Sequence, residues 1–131
     1  MLLGCALALV AGCASPVSHS APEGALGPYS AAVAADGFVF VSGKIGERGG
    51  SFAREAETAL DGVERELQRQ GLTFADVVSA TVYLTDMERY AELNEIYAAR
   101  LSAPYPARAC VAVAALPAGA RVEVQGVAHR R

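Results

Sequence analysis

The chain has 131 residues, room for one compact domain and too few for two ordinary ones. Fourteen Asp and Glu against 11 Lys and Arg give a formal charge of −3, which argues against a binder that neutralises nucleic-acid phosphates. With 53% hydrophobic residues the chain is too apolar for disorder, and 3 cysteines with 2 histidines and no CxxC pair argue against a zinc site or disulfide framework.

The segment Met1–Ser15, MLLGCALALVAGCAS, carries no charge. It is shorter than the roughly 20 residues needed to span a bilayer, but has the length of a signal-peptide apolar region and ends in small residues. Val10-Ala11-Gly12-Cys13 resembles a bacterial lipobox. The pattern predicts a lipoprotein-type signal peptide over residues 1–12, Cys13 as the lipidated mature N-terminus, a Ser/Pro/Ala-rich flexible tether over 13–24, and one domain over 25–131. It places the protein in the cell envelope on the periplasmic side, touching the membrane only through the lipid. A cytoplasmic location is the alternative if the run is not a signal.

Strands and helices alternate from Pro28 onward. Ala31–Ala35 and Phe38–Ser42 are apolar runs around Asp36-Gly37, a dipeptide suited to a two-residue hairpin turn in which both positions need positive φ. Gly43, Gly46, Gly49 and Gly50 mark a mobile loop, without the glycine order of a phosphate cradle. A helix is predicted over Phe52–Gln70. Ser51 suits its N-cap, Phe52, Ala56, Leu60, Val63 and Leu67 recur on one face, and Gly71 stands where a left-handed C-cap belongs. Thr73-Phe74-Ala75-Asp76 resembles a capping box opening a single turn, and Val77–Leu84 is a strand rich in β-branched residues.

Asp86 caps a second helix over Met87–Leu101. Its stripe is Tyr90, Leu93, Asn94, Tyr97 and Leu101, and Asn94 is the misfit, because a buried amide needs partners for donors and acceptors alike. Arg108–Ala115 is a further strand, Leu116-Pro117-Ala118-Gly119 turns the chain, and Arg121–Ala128 runs back. The order ββαβαββ indicates an α+β domain with two helices packed on one face of a mixed sheet. The other face then needs cover, so oligomerisation is expected.

Period-two alternation puts Arg108, Cys110 and Ala112 on one face of their strand, and Arg121, Glu123 and Gln125 on one face of theirs. If these strands pair antiparallel through the intervening turn, Arg108 lies toward the far end of the last strand and Glu123 nearer its middle. Whether the two approach directly or across a subunit boundary stays open. Each residue also has a plain reading: a surface charge for Arg108, the solvated side of a strand for Glu123, a small buried hydrophobe for Cys110, a backbone bridge for Asn94. No Ser/His/Asp, Cys/His or paired-carboxylate metal arrangement is visible. Unaided, the residues reach a small α+β domain with an anion site.

Several segments together resemble the Rid family of enamine/imine deaminases, formerly called YjgF-like or liver perchloric-acid-soluble proteins. They are Gly27-Pro28-Tyr29-Ser30, Val41-Ser42-Gly43, Asn94 with Tyr97, Tyr105-Pro106-Ala107-Arg108-Ala109-Cys110-Val111, and Leu116-Pro117 with Val122-Glu123-Val124. The resemblance covers Ala21 to Arg131, and Pro-Ala-Arg-x-Cys-Val is its most specific part. It implies a chorismate-mutase-like fold assembled as a homotrimer with pockets between subunits. It also implies hydrolysis of 2-imino acids and their 2-aminoacrylate-type enamine tautomers (2-iminopropanoate and 2-iminobutanoate type) to 2-keto acids and ammonia, with no metal or organic cofactor.

By position, Arg108 would hold the substrate carboxylate through two parallel hydrogen bonds, and Glu123 would orient the water and carry its proton. Tyr29, Ser42, Gly43 and Asn94 fall at substrate-binding positions, and Cys110 would contribute through backbone groups. Three local features depart from the family pattern. Lys44 stands where Gln is common, Gly46 where Pro is frequent, and the loop from Gly46 to Ser51 is several residues shorter than in typical members. A hypothesis of a different class is a non-catalytic envelope module that binds small carboxylates or acts as a holdase, keeping the Arg108 anion site and making no use of Glu123. The endoribonuclease activity ascribed to some relatives ranks last, given the acidic charge balance, the lack of a paired His and the predicted export; no nucleic-acid partner is expected.

Overall fold

The structure is a computed structural model that describes residues 16–131, so Cys13 and the predicted signal peptide lie outside the described residues. Local chemistry accounts for most element boundaries. Asp36 (φ 48°) and Gly37 (φ 82°) both take the left-handed conformation and join β2 (Ala32–Ala35) to β3 (Phe38–Ile45) as an antiparallel hairpin; β1 is Ser18–Ser20. Ser51 caps α1 (Phe52–Arg69) by accepting the Arg54 amide proton at 3.1 Å. At the other end Gly71 (φ 72°) closes a Schellman motif, in which Leu72 N–H donates to the Leu67 carbonyl and Gly71 N–H to the Gln68 carbonyl, each at 2.9 Å. The Thr73/Asp76 capping box is present and leads through a single turn into β4 (Val77–Leu84). Asp86 caps only a 3-10 turn over Met87–Arg89, and α2 proper is Tyr90–Arg100, shorter than predicted. Two strands follow, β5 (Ala107–Ala112) and β6 (Val122–His129).

The six strands form one mixed sheet in the order β1-β2-β3-β6-β4-β5. Three expectations need correction. The segment Ser18–Ser20, placed by sequence in the flexible tether, pairs antiparallel with Ala32–Ala34. The outer edge of β2 leaves backbone donors and acceptors unpaired, and the preceding extended residues satisfy them. Next, β5 and β6 do not pair through the Leu116–Gly119 turn. Instead β4 lies between them, parallel to β5 and antiparallel to β6. It buries Ala80, Val82 and Leu84 and is a central strand that must satisfy both edges. Finally, the glycine cluster is no free loop at Gly46: a Cβ there would overlap the Glu55 carbonyl oxygen, and the neighbouring Glu47 N–H donates to Thr58 Oγ1 at 2.8 Å. The chain here lies flat on α1 because Gly46 has no side chain.

Both helices cover one sheet face. Phe52, Ala56, Leu60, Val63 and Leu67 of α1 are no more than 3% exposed, and they share a core with Leu93 and Tyr97 of α2 and with Val39, Val82, Leu84, Val122 and Val124 of the sheet. Each fully buried Leu or Val here contributes about 1.5–3 kcal/mol relative to exposure. On the opposite face Phe38, Phe40 and Val111 remain 40–48% exposed. The start of β6 is tied to α1 by the buried carboxylate of Glu55, which accepts both the backbone N–H and the Nε–H of Arg121 at 2.6 Å. That clamp lies two residues before Glu123 and sets where β6 begins.

Candidate active site

The predicted site residues fall into two separate half-sites. The first is built on β5 and α2. Arg108 pairs in register with the buried Ala80 of β4, so its side chain emerges on the helix-covered face. There Asn94 Oδ1 accepts from Arg108 Nη2 at 2.7 Å, and the Tyr90 hydroxyl accepts from the same nitrogen at 3.4 Å. The guanidinium also lies 4.7 Å from the centre of the Tyr97 ring and 5.8 Å from that of Tyr90. Tyr90, Asn94 and Tyr97 stand at i, i+4 and i+7 on one face of α2, which explains the amide on an otherwise apolar stripe.

A cavity of about 360 Å³ opens here, lined by Asn94, Tyr97, Ala98, Tyr105, Pro106 and Arg108. Burial pushes the Tyr97 hydroxyl above its usual range, with the Arg108 charge opposing, and that hydroxyl has no hydrogen-bond partner among the described residues. Cys110 lies on the same face of β5, half-buried against the core; burial raises its thiol, again opposed by Arg108. A thiol held protonated in this way is a poor nucleophile.

The second half-site lies on the open face, at the end of β3 and the start of β6. Val122 and Val124 pack under the helices, so Glu123 between them points the other way. It lines a cavity of about 370 Å³ with Tyr29, Ser42, Gly43, Leu26, Ile45, Pro117 and Gln125. The Ser42 hydroxyl donates to the Ser30 carbonyl at 2.6 Å and holds the incoming segment against β3. Gly43 makes room for this side chain: a Cβ there would overlap the Glu123 carboxylate, which would have to move. Burial pushes the Glu123 carboxyl above its usual range, and the carboxylate makes no hydrogen bond among the described residues.

Arg108 and Glu123 therefore do not meet within one chain. They project from opposite sheet faces, two strand spacings (about 10 Å) sideways and three residues (about 10 Å) along β4 from one another. Tyr29, Ser42 and Gly43 gather around Glu123, whereas Asn94 gathers around Arg108 with Cys110 alongside. Sequence reasoning assigned Tyr90 and Tyr97 to the core stripe and missed their stacking on Arg108, although their spacing from Asn94 carried the signal.

The endoribonuclease L-PSP family model matches residues 18–130. A human protein named 2-iminobutanoate/2-iminopropanoate deaminase is 40% identical over 119 residues, covering 86% of this chain and 87% of its own length. Among solved structures, RidA from an Antarctic Psychrobacter is 40% identical with a TM-score of 0.78, covering 80% of this chain and 90% of its own. Escherichia coli TdcF with bound serine is 33% identical with a TM-score of 0.76, covering 82% and 92%.

Proposed function

Because the chain belongs to the endoribonuclease L-PSP (YjgF/Rid) family, we propose that it is an imine deaminase that hydrolyses 2-imino acids between subunits of a homotrimer. One observation carries the reading: each half-site is incomplete, and the two lie on opposite faces of the same sheet. A substrate of a few carbons reaches both Arg108 and Glu123 only if a second copy brings its Arg108 half-site to the first copy's Glu123. The exposed Phe38, Phe40 and Val111 on the open face favour such an assembly, since burying them removes apolar surface from water.

The groups suit the chemistry. Asn94 and the two tyrosine rings hold the Arg108 guanidinium, which grips the carboxylate next to the C=N carbon and fixes the angle of attack. Water adds its oxygen to that carbon as its proton passes to Glu123, and the imine nitrogen takes a proton from solvent to become an amine. Glu123 returns its proton to this nitrogen, the carbinolamine hydroxyl gives its own to solvent, and the C–N bond breaks to give a 2-keto acid and ammonia. A carboxyl whose pKa is raised by burial both accepts and releases this proton readily. E. coli TdcF, solved with bound serine, is a relative holding a 2-amino acid, which carries the same carboxylate as these substrates. Cleavage of RNA is the weaker reading, since no histidine lines either cavity and the net charge is −3. With the deaminase reading we also propose the envelope location, tethered through Cys13, supported by the lipobox-like Val10–Cys13.

The test mixes two inactive chains. Arg108→Ala and Glu123→Gln should each lose about 10³-fold in kcat/KM, read as semicarbazide trapping of imine made in situ by an amino-acid oxidase. Trimers reassembled from equal amounts should recover about a quarter of wild-type activity, because one site in four pairs an intact Arg108 with an intact Glu123 across a boundary. No recovery in demonstrably mixed trimers rejects the shared site. A wild type that leaves trapping unchanged rejects the deaminase and favours the carboxylate-binding module.

A further inference from the structure

β2 pairs with β3 as far as Val41, and Ser42 N–H still donates to the Ala31 carbonyl at 3.1 Å, so among the described residues the free edge on that side is Gly43–Ile45. A third cavity, of about 330 Å³, lies around this edge between β3 and α1. It shares Leu26, Tyr29, Gly43 and Ile45 with the Glu123 cavity, so the two border one another across the end of β3. Its lining differs sharply in charge. Lys44, Arg48, Arg65 and Arg69 face only two carboxylates, Glu23 and Glu66, in a chain whose net charge is −3.

The ion pairs do not use up this positive charge. Lys44 and Arg69 both donate to Glu66 Oε1, at 3.3 and 3.1 Å, and Arg69 also reaches Glu23 at 2.6 Å. Arg48 has a neutral partner, donating to the Ala118 carbonyl at 2.7 Å, and Arg65 makes no side-chain hydrogen bond or ion pair among the described residues. Ala118 follows Pro117, which lines the Glu123 cavity, so Arg48 is tied to the turn that borders that cavity. The site is also built into the helix. Gly62 sits inside α1, where glycine weakens a helix relative to alanine. A Cβ at Gly62 would come within 3.1 Å of Lys44 Cβ and 3.2 Å of Cγ. Gly62 thus opens the slot through which Lys44 enters the cavity.

We infer that this cavity receives a negatively charged side chain of the substrate, so that the preferred imines are those of acidic amino acids, 2-imino dicarboxylates. The inference rests on the deaminase reading: Arg108 of a neighbouring copy holds the carboxylate beside the C=N bond, Glu123 serves the reacting carbon, and the side chain runs past Gly43 toward Arg48, Arg65 and Lys44. Two guanidinium groups without a carboxylate partner give a second anion its charge-assisted hydrogen bonds. Lys44 adds a third cation at the inner end.

The experiment compares imines generated by oxidases from glutamate and from norvaline, which have the same carbon count and differ in the terminal carboxylate. The wild type should favour the glutamate imine in kcat/KM. Arg48→Gln combined with Arg65→Gln should lower the glutamate-to-norvaline ratio at least tenfold, and Lys44→Gln, with circular dichroism to confirm folding, should lower it in the same direction. Arg54→Gln, an exposed arginine paired with Glu47 outside this cavity, controls for general charge effects on the ratio. A wild-type preference for the norvaline imine, or a ratio that the Arg48/Arg65 pair does not move, overturns the inference and leaves the deaminase reading standing. Failure to hydrolyse either imine, or the imine of alanine, removes the deaminase reading itself.

Discussion

The Arg108 and Glu123 half-sites are built by opposite rules. Around Arg108 every neighbour favours the charge: an amide oxygen at 2.7 Å, a tyrosine hydroxyl and two aromatic faces. Around Glu123 nothing does, and the carboxyl is raised by burial with no hydrogen bond among the described residues. A group that must hold an anion through the whole reaction is best kept charged and still. A group that must take up and release a proton is best left without partners that favour its ion. The contrast predicts that the two half-sites govern different kinetic constants.

Gly43→Ala breaks the Glu123 side alone. Its new Cβ occupies the space of the Glu123 carboxylate, which must move by roughly an ångström. A displacement of that size costs about 10²-fold in rate, so kcat should fall by that factor while KM changes little. A variant with normal kcat and a raised KM would show that Glu123 acts in binding, and the division of labour would fail. On the other side, Asn94→Ala removes the acceptor that orients Arg108 and leaves the arginine in place. Here KM should rise about tenfold with a smaller change in kcat, the reverse pattern.

These residues also mark how far the sequence could be read. The hairpin turn at Asp36-Gly37, the Ser51 cap, the Thr73/Asp76 box and the Gly71 terminus were all legible, because each depends on a few adjacent side chains. Strand order was not. The placement of β4 between β5 and β6 depends on which buried strand satisfies two edges, and period-two alternation assigns a face to Arg108 and Glu123 without saying which face is covered. The family resemblance named the residues that line the two candidate half-sites, but not their division between two faces of the sheet. Asn94 was visible as an anomaly on its stripe and its partner was not, since Arg108 lies on another element. Gly43 and Gly46 read alike as loop glycines, yet one makes room for a carboxylate and the other for a helix backbone.

The smallest effect gives the sharpest test of whether the half-sites meet. Burial raises the Glu123 carboxyl above its ordinary 4.5, so the folded chain binds this proton more tightly than the unfolded one. The sign follows: stability present below pH 4.5 is lost as the pH rises through the raised folded value. Glu123→Gln has no such loss, so its melting temperature relative to its Glu123 parent should improve as the pH rises through that window. A guanidinium brought by the next copy opposes the shift, because it favours the ionised carboxylate. The improvement should therefore be larger in an Arg108→Ala background than with Arg108 present. Equal improvements in the two backgrounds would mean that Arg108 and Glu123 do not sense one another in the assembly, whatever the kinetics of each half-site alone.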